Sequence, residues 1–238
     1  YEKLKKSVPV KVEELGRVEG LGPKTILKLY KKYNIKNLKD LGKAAKQGKI
    51  QKLEGLGPIV EKNILKRIEF AKSTGKRFLL KQASAIAEEV KAKLKNLKEV
   101  NKIEIAGSLR RRKDTIGDVD ILITSSNPKK AMDFFVQMKG VKDILAKGIT
   151  KSSVKFKKGM QVDLRIIDAD RFGAALLYFT GSKQHNIKLR KIAIKKGMKL
   201  SEYGVFDKKT DKLLASKTEK DCYKKLGLKY VKPKLREE

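Results

Sequence analysis

An α+β fold in three parts is predicted for this chain of 238 residues: a tandem helix-hairpin-helix region, a mixed sheet-and-helix core, and a small α/β C-terminal subdomain. Three observations carry the prediction. A Gly-Leu-Gly-Pro motif occurs twice, within residues 18–24 and 53–59, at an offset of 35 residues and with helical patterns on both sides of each copy. Short β-branched stretches at 102–106, 119–124 and 162–167 are interleaved with segments of helical period. After Phe172 an apolar helical run, a basic helical segment and short strand-like pieces follow one another. The parts are bounded at 1–80, 81–168 and 169–238.

In each N-terminal repeat the glycines let the backbone turn tightly, and Pro23 and Pro58 suit the first turn of the helix that follows. Backbone N–H groups exposed at such a start can bind a DNA phosphate without reading a base. Lys24, Thr25, Lys28, Lys31 and Lys32 follow the first copy, whereas Ile59, Val60 and Glu61 follow the second. Phosphate binding is therefore assigned to Gly20, Gly22, Lys24 and Thr25, and the second hairpin to packing. A plain connection between packed helices is the alternative for either copy.

In the core, Ala83, Ile86, Ala87, Val90 and Leu94 form an apolar stripe that predicts a helix over 82–97, packed on a sheet. That sheet takes the strands already named and a further one at 148–157, with another helix at 129–138. The period of a strand puts Asp118 and Asp120 on one face, and Asp163, 43 residues after Asp120, adds a third carboxylate from a neighbouring strand. Adjacent carboxylates raise each other's pKa unless a cation lies between them. Mg2+ takes oxygen ligands, so such a set suits two ions about 3.5–4 Å apart across a reacting phosphate, with Mn2+ as the alternative metal. Surface acids paired with lysines are the competing explanation.

Gly107 and Ser108 end the first strand, where backbone N–H groups and a small hydroxyl can cradle a triphosphate. Of the arginines after them, Arg111 is assigned to phosphate, because guanidinium offers a planar fork and a permanent charge. Arg110 and Arg112 are expected to form a solvated basic face. In the last third, 172–180 reads as an apolar helix stopped by Gly181 and Ser182, 184–196 as a basic helix, 199–206 and 212–215 as strand-like, and 218–226 as a helix. Residues 232–238 are expected to be disordered.

Lys and Arg number 60 against 27 Asp and Glu, a formal charge of +33, which points to a polyanionic partner, nucleic acid before all others. No long apolar run, signal peptide or lipidation motif supports a membrane. The single Cys222 excludes an internal disulfide framework and fits a reducing, intracellular compartment, which with a nucleic-acid partner gives a cytoplasmic, nucleoid-associated expectation. One histidine leaves no Cys/His zinc site and no His-based triad, and His185 reads as a polar loop or helix residue.

Together these motifs resemble a family X DNA polymerase, the polymerase beta group, and most closely its bacterial and archaeal members. The resemblance rests on residues 16–23, 107–120 and 162–165, on Tyr178-Phe179-Thr180-Gly181-Ser182, on Asn186 and Arg190 after it, and on Ser201-Glu202-Tyr203. It implies a nucleotidyltransferase palm at 81–168 and a nascent-base-pair subdomain at 169–238. It also implies that Asp118 and Asp120 bind both Mg2+ ions and Asp163 the ion serving the primer 3′-hydroxyl. Ser108, Arg111 and Gly117 would hold the terminal phosphates, with Gly107 in the same turn. Tyr178, Phe179 and Gly181 would line the sugar pocket, Asn186 would read the incoming base, and Arg165 and Arg190 would face DNA. Carbonyls of Gly16, Val18 and Leu21 would hold a monovalent cation. The implied activity is templated addition of dNTPs to primer-template or gapped DNA by a monomer, for short-gap repair. A template-independent nucleotidyltransferase and a non-catalytic DNA-binding scaffold are the alternatives. Lys183 departs from the family, standing where polymerase beta has an acid. The chain is read as lacking both the N-terminal lyase-type domain and the C-terminal phosphoesterase domain.

Overall fold

The computed structural model describes residues 9–16, 18, 21–53, 55–58, 61, 64–65 and 77–237. It divides into two compact units, Tyr1–Lys76 and Arg77–Glu238.

The first unit contains α1 (Val12–Leu15), α2 (Pro23–Tyr33) and α3 (Leu38–Lys46) around Leu15, Val18, Leu21, Ile26, Leu29 and Leu41. Pro23 opens α2, where its missing N–H costs no hydrogen bond, and Asn34 closes the helix in the left-handed region at φ 53°. Asn37 caps α3 by accepting the Asp40 N–H at 2.9 Å. The buried Glu61 accepts the backbone N–H groups of Ile50 (2.8 Å) and Gln51 (3.1 Å), so this acid of the second repeat serves packing.

The second unit is built on a five-stranded sheet in the order β2 (Val100–Ile105), β4 (Asp118–Ser125), β7 (Gln161–Ile166), β6 (Lys151–Lys155), β5 (Asp143–Lys147). Only β4 and β7 run parallel. Val119, Ile121, Ile123, Val162 and Leu164 point to one face, where α4 (Leu80–Lys95) and α6 (Pro128–Gln137) cover them with Ala87, Val90, Met132 and Phe135. The other residues of the same strands face the opposite side. There α7 (Phe172–Thr180) packs Phe172, Ala175 and Leu176 on Ala106 and Leu122. Its remaining face, Ala174 and Leu177, joins a separate core with α8 (Lys183–Lys195), α9 (Glu219–Lys225) and the antiparallel strands β8 (Met198–Ser201), β9 (Gly204–Asp207) and β10 (Leu213–Ala215). Gly173 is needed for that double packing, since a Cβ there would run into the Thr218 backbone. Two short pieces, α5 (Gly107–Arg110) and the ribbon of β1 (Phe78–Leu79) with β3 (Thr115–Ile116), flank the start of β4.

Two expectations are corrected and one strand is added. The strand-like stretch 199–206 is a hairpin, because Glu202 and Tyr203 form the turn between β8 and β9. The strand β5 was not foreseen; it is an edge strand whose side chains are mostly exposed, so it lacks an apolar signature. Residues 232–237 are ordered rather than disordered: Pro233–Leu235 forms a 3-10 turn that delivers Arg236 into a fully buried site.

Candidate active site

The register of the central strands assembles the three aspartates. Asp118 and Asp120 are two residues apart on β4, and Asp120 pairs directly with Asp163 on β7. All three side chains therefore share the α7 side of the sheet. Burial, then the charges of Asp118 and Asp163, push the Asp120 carboxyl up to about 7, while Arg165 and Lys151 oppose the shift. Desolvation and Asp163 likewise hold Asp118 above the usual carboxylate range, with Arg77 and Lys151 acting the other way. Asp163, only 5% exposed, accepts a hydrogen bond from Gln161 Nε2 at Oδ1 (2.7 Å) and an ion pair from Lys151 Nζ at Oδ2 (3.1 Å).

Gly107 lies beside this cluster with φ +63°, and a Cβ on it would collide with the Asp120 carboxylate. The residue is thus required both for its left-handed backbone and for the space it leaves. From it α5 carries Ser108 and leads to Arg111, whose Nε donates to Glu237 Oε1 at 3.0 Å and whose Nη1 donates to the Thr180 carbonyl. Lys113 Nζ meets the other Glu237 oxygen at 2.9 Å. Gly117 links β3 to β4 next to the Arg77 guanidinium.

Arg110 corrects the expectation of a solvated face. Its Nη1 and Nη2 donate to the two oxygens of Glu219 at 2.8 and 2.7 Å, and Nη1 also reaches Thr180 Oγ1 at 2.7 Å. The fully buried Arg236 donates from Nη1 to the same Glu219 at 2.7 Å, and Tyr230 OH to its other oxygen at 3.2 Å. Burial would raise the Glu219 pKa, but these donors outweigh it and hold the carboxyl below its usual range. Arg112 is exposed, as a solvated residue should be.

On α7, Tyr178 and Phe179 meet edge to face at 5.1 Å, and the Arg165 guanidinium stacks on Phe179 at 4.2 Å. Arg165 is half-buried and its Nε has no partner among the described residues. Gly181, at φ +69°, lies against Arg111. Asn186 Nδ2 donates to the Tyr178 carbonyl at 2.7 Å, and Arg190 Nε donates to the Asn186 carbonyl at 3.3 Å. His185 is a buried residue of α8, bonded to Tyr223 OH at 2.6 Å. In the first unit, Gly22 precedes α2 with open space where a Cβ would stand, Lys24 and Thr25 occupy its first turn, and the Val18 carbonyl accepts the Leu21 N–H at 3.0 Å. Gly16 ends α1. Gly20 lies outside the described residues.

Sequence reasoning missed Lys151, Gln161, Arg77, Glu219 and Glu237. For Lys151 the signal exists only once the pairing of β6 with β7 is known, whereas Gln161, two residues before Asp163 on β7, shares its face by strand period alone. For Glu219 a weak one was available, the Thr-x-x-Asp pattern of Thr218 and Asp221 that starts a helix around it.

Models of three domain families match the chain: a SAM-like helix-hairpin-helix tandem over residues 12–69, the DNA polymerase beta palm over 80–192 and the DNA polymerase beta thumb over 175–237. Repair DNA polymerase X of African swine fever virus (strain Badajoz 1971 Vero-adapted) is 32% identical over 168 residues, covering 68% of this chain and 96% of that protein. The chain belongs to the family X DNA polymerases. Another member, the DNA polymerase/3'-5' exonuclease PolX of Bacillus subtilis (strain 168), is 36% identical over 238 residues; the alignment takes in 99% of this chain but only 42% of that relative. Among solved structures, polymerase beta of Leishmania infantum in a ternary P/T complex superposes with a TM-score of 0.77 at 25% identity, covering 95% of this chain and 98% of the other.

Family X polymerases use divalent metals, and the donor chemistry here suits one: three hard carboxylates on adjacent strands, with Gly107 leaving room beside Asp120. Among the described residues no three such side chains stand close enough to ligate an ion together. Asp163 is held instead by Gln161 and Lys151.

Proposed function

We propose that this chain is the catalytic core of a DNA-directed DNA polymerase that fills short gaps in repair. The observation that carries the reading is the Asp118, Asp120 and Asp163 cluster on one sheet face, beside the Gly107–Ser108 turn. Asp118 and Asp120 would hold two Mg2+ ions, or Mn2+ in their place, and Asp163 the one on the primer side. The ions would supply charge stabilisation for the attacking 3′-oxygen and the departing pyrophosphate. Ser108, Arg111 and Gly117 orient the terminal phosphates, and Tyr178, Phe179 and Gly181 shape the sugar pocket. Asn186 reads the base once its bond to Tyr178 is exchanged for one to the nucleotide. Gly20, Gly22, Lys24 and Thr25 bind a DNA phosphate, the carbonyls of Gly16, Val18 and Leu21 a monovalent cation, and Arg165 and Arg190 the duplex.

The domain limits 1–80, 81–168 and 169–238 belong to the same reading, as do a monomeric state and a cytoplasmic setting. Among the described residues no helix is long and apolar enough to cross a membrane. The formal charge of +33 suits gapped or primer-template DNA. Extension of a labelled primer across a one-nucleotide gap, with each dNTP offered singly, tests the proposal. Addition of the complementary nucleotide alone is the expected result. Addition regardless of template would replace it with template-independent transfer, and tight DNA binding without addition would leave a scaffold.

A further inference from the structure

The register that builds the aspartate cluster also places a cation inside it. Strand β6 runs antiparallel to β7 with Ser153 opposite Asp163 and Lys151 opposite Arg165. Lys151 and Ser153 thus face the same side as the carboxylates, and the small Ser153 leaves the diagonal from Lys151 to Asp163 open. The Lys151 ammonium takes that diagonal, at 3.1 Å from Asp163 Oδ2, while Gln161 holds Oδ1 at 2.7 Å. No other cation reaches an oxygen of the three aspartates within ion-pair distance among the described residues.

We propose that Lys151 is a resident counter-ion of the catalytic carboxylates: it holds Asp163 in the metal-free chain, must swing away before Asp163 can ligate a divalent ion, and so sets how readily that ion is taken up. The inference rests on the two-metal reading of the aspartates. It makes Lys151 a positioning residue, acting through Asp163. The Lys151 side chain is 43% exposed on a flexible stem, so its ammonium can leave toward solvent without disturbing the sheet, whereas the Asp163 side chain, at 7%, cannot. Ion uptake is then the exchange of a singly charged ammonium for a doubly charged ion, a net gain of positive charge beside Asp163.

Direct binding of Mn2+ to the whole chain, without DNA or nucleotide, separates the possibilities. Lys151→Met keeps the stem and removes the charge; it is expected to bind the ion about three- to tenfold more tightly than wild type. Lys151→Arg restores a cation and should return the affinity to within about twofold of wild type. A second readout is thermal: Lys151→Met should melt below wild type in chelator, and the gap should close on saturation with Mn2+. Unchanged or weaker Mn2+ binding by Lys151→Met would overturn the proposal, as would weaker DNA binding with Mn2+ affinity untouched, which would make Lys151 a backbone contact. Asp120→Asn guards the underlying reading. If wild type and Asp120→Asn bind Mn2+ equally, the two-metal assignment fails; if Asp120→Asn alone loses the ion and Lys151→Met matches wild type, only the counter-ion role fails. Should Lys151→Met not fold, Lys151→Gln carries the same comparison.

Discussion

Two clusters of charge meet the two ends of α5, at Gly107 and at Arg110, and treat their carboxylates in opposite ways. Around Glu219 every acceptor is used: Arg110 and Arg236 share one oxygen, and Arg110 and Tyr230 share the other, so the acid ionises readily in spite of burial. Around Asp120, two further aspartates crowd the same face, and burial with their repulsion pushes its carboxyl up to about 7. In the first cluster the carboxylate is fully satisfied, only Nη2 of Arg236 being left without a partner among the described residues, and the network ties α5 to α7, α9 and the C-terminal turn. The second is left short of positive charge, at a cost to the fold that a bound cation would remove. Geometry this costly belongs to function, and the contrast separates the proposed catalytic acids from a more deeply buried ion-pair network whose task is cohesion.

The sharpest way to break the comparison is to make one change in each cluster. Asp120→Asn should lower nucleotidyl transfer by about three orders of magnitude or more, through loss of a ligand shared by both ions. The same change should stabilise the metal-free fold. Because the folded-state pKa of Asp120 is raised from 3.8 to about 7, its contribution to stability is full below pH 3.8, falls as pH rises, and is lost above about 7. In chelator, urea unfolding of wild type should therefore weaken between pH 5 and 8 by about 1–3 kcal/mol more than that of Asp120→Asn. Equal pH dependence in the two proteins would remove the argument that the site is strained. Glu219→Ala should behave in reverse, losing about 3 kcal/mol of stability because Arg110 and Arg236 are left buried without their acid. Its transfer rate per folded molecule should change far less. An unfolding midpoint within error of wild type would show that the network is ornamental.

The sequence made one cluster visible and hid the other, for a physical reason. Asp118, Asp120 and Gly107 are local: strand period and a turn glycine place them, and both signals survive in one dimension. The pairing of β4 with β7 that brings in Asp163 could be anticipated because two apolar runs of matching length had to lie side by side. Arg110, Glu219 and Arg236 are separated by more than 100 residues between the first and last, and each taken alone reads as a surface charge in a chain rich in lysine and arginine. Lys151 was hidden for the same reason, since only the β6–β7 register distinguishes it from its neighbours. The C-terminal residues were misread because Lys232, Lys234, Arg236 and Glu237 look solvated by composition, while Arg236 finds a carboxylate and two tyrosine rings, at 5.5 Å from Tyr223 and 5.3 Å from Tyr230.

That terminal turn reaches the Glu219 network and Arg111 through consecutive residues. Arg236 completes the cohesive network, whereas Glu237 bonds Arg111 and Lys113, the first of which is assigned to nucleotide phosphate. Burial works against the charge on Glu237, but the hydrogen bonds from Lys113 and Arg111 prevail and keep its carboxyl below the usual range. An anionic side chain thus occupies the donor that a triphosphate would need, and the two must compete. The pair is partly exposed, so the effect is small: Glu237→Gln should tighten binding of a non-hydrolysable dNTP by about two- to fivefold, more at low salt, with little change in stability. Arg236→Gln should do the opposite, lowering stability with no gain in nucleotide affinity. If both changes shift stability and neither shifts nucleotide affinity, the terminal turn serves cohesion alone, and Arg111 does not bind phosphate in the way assigned to it.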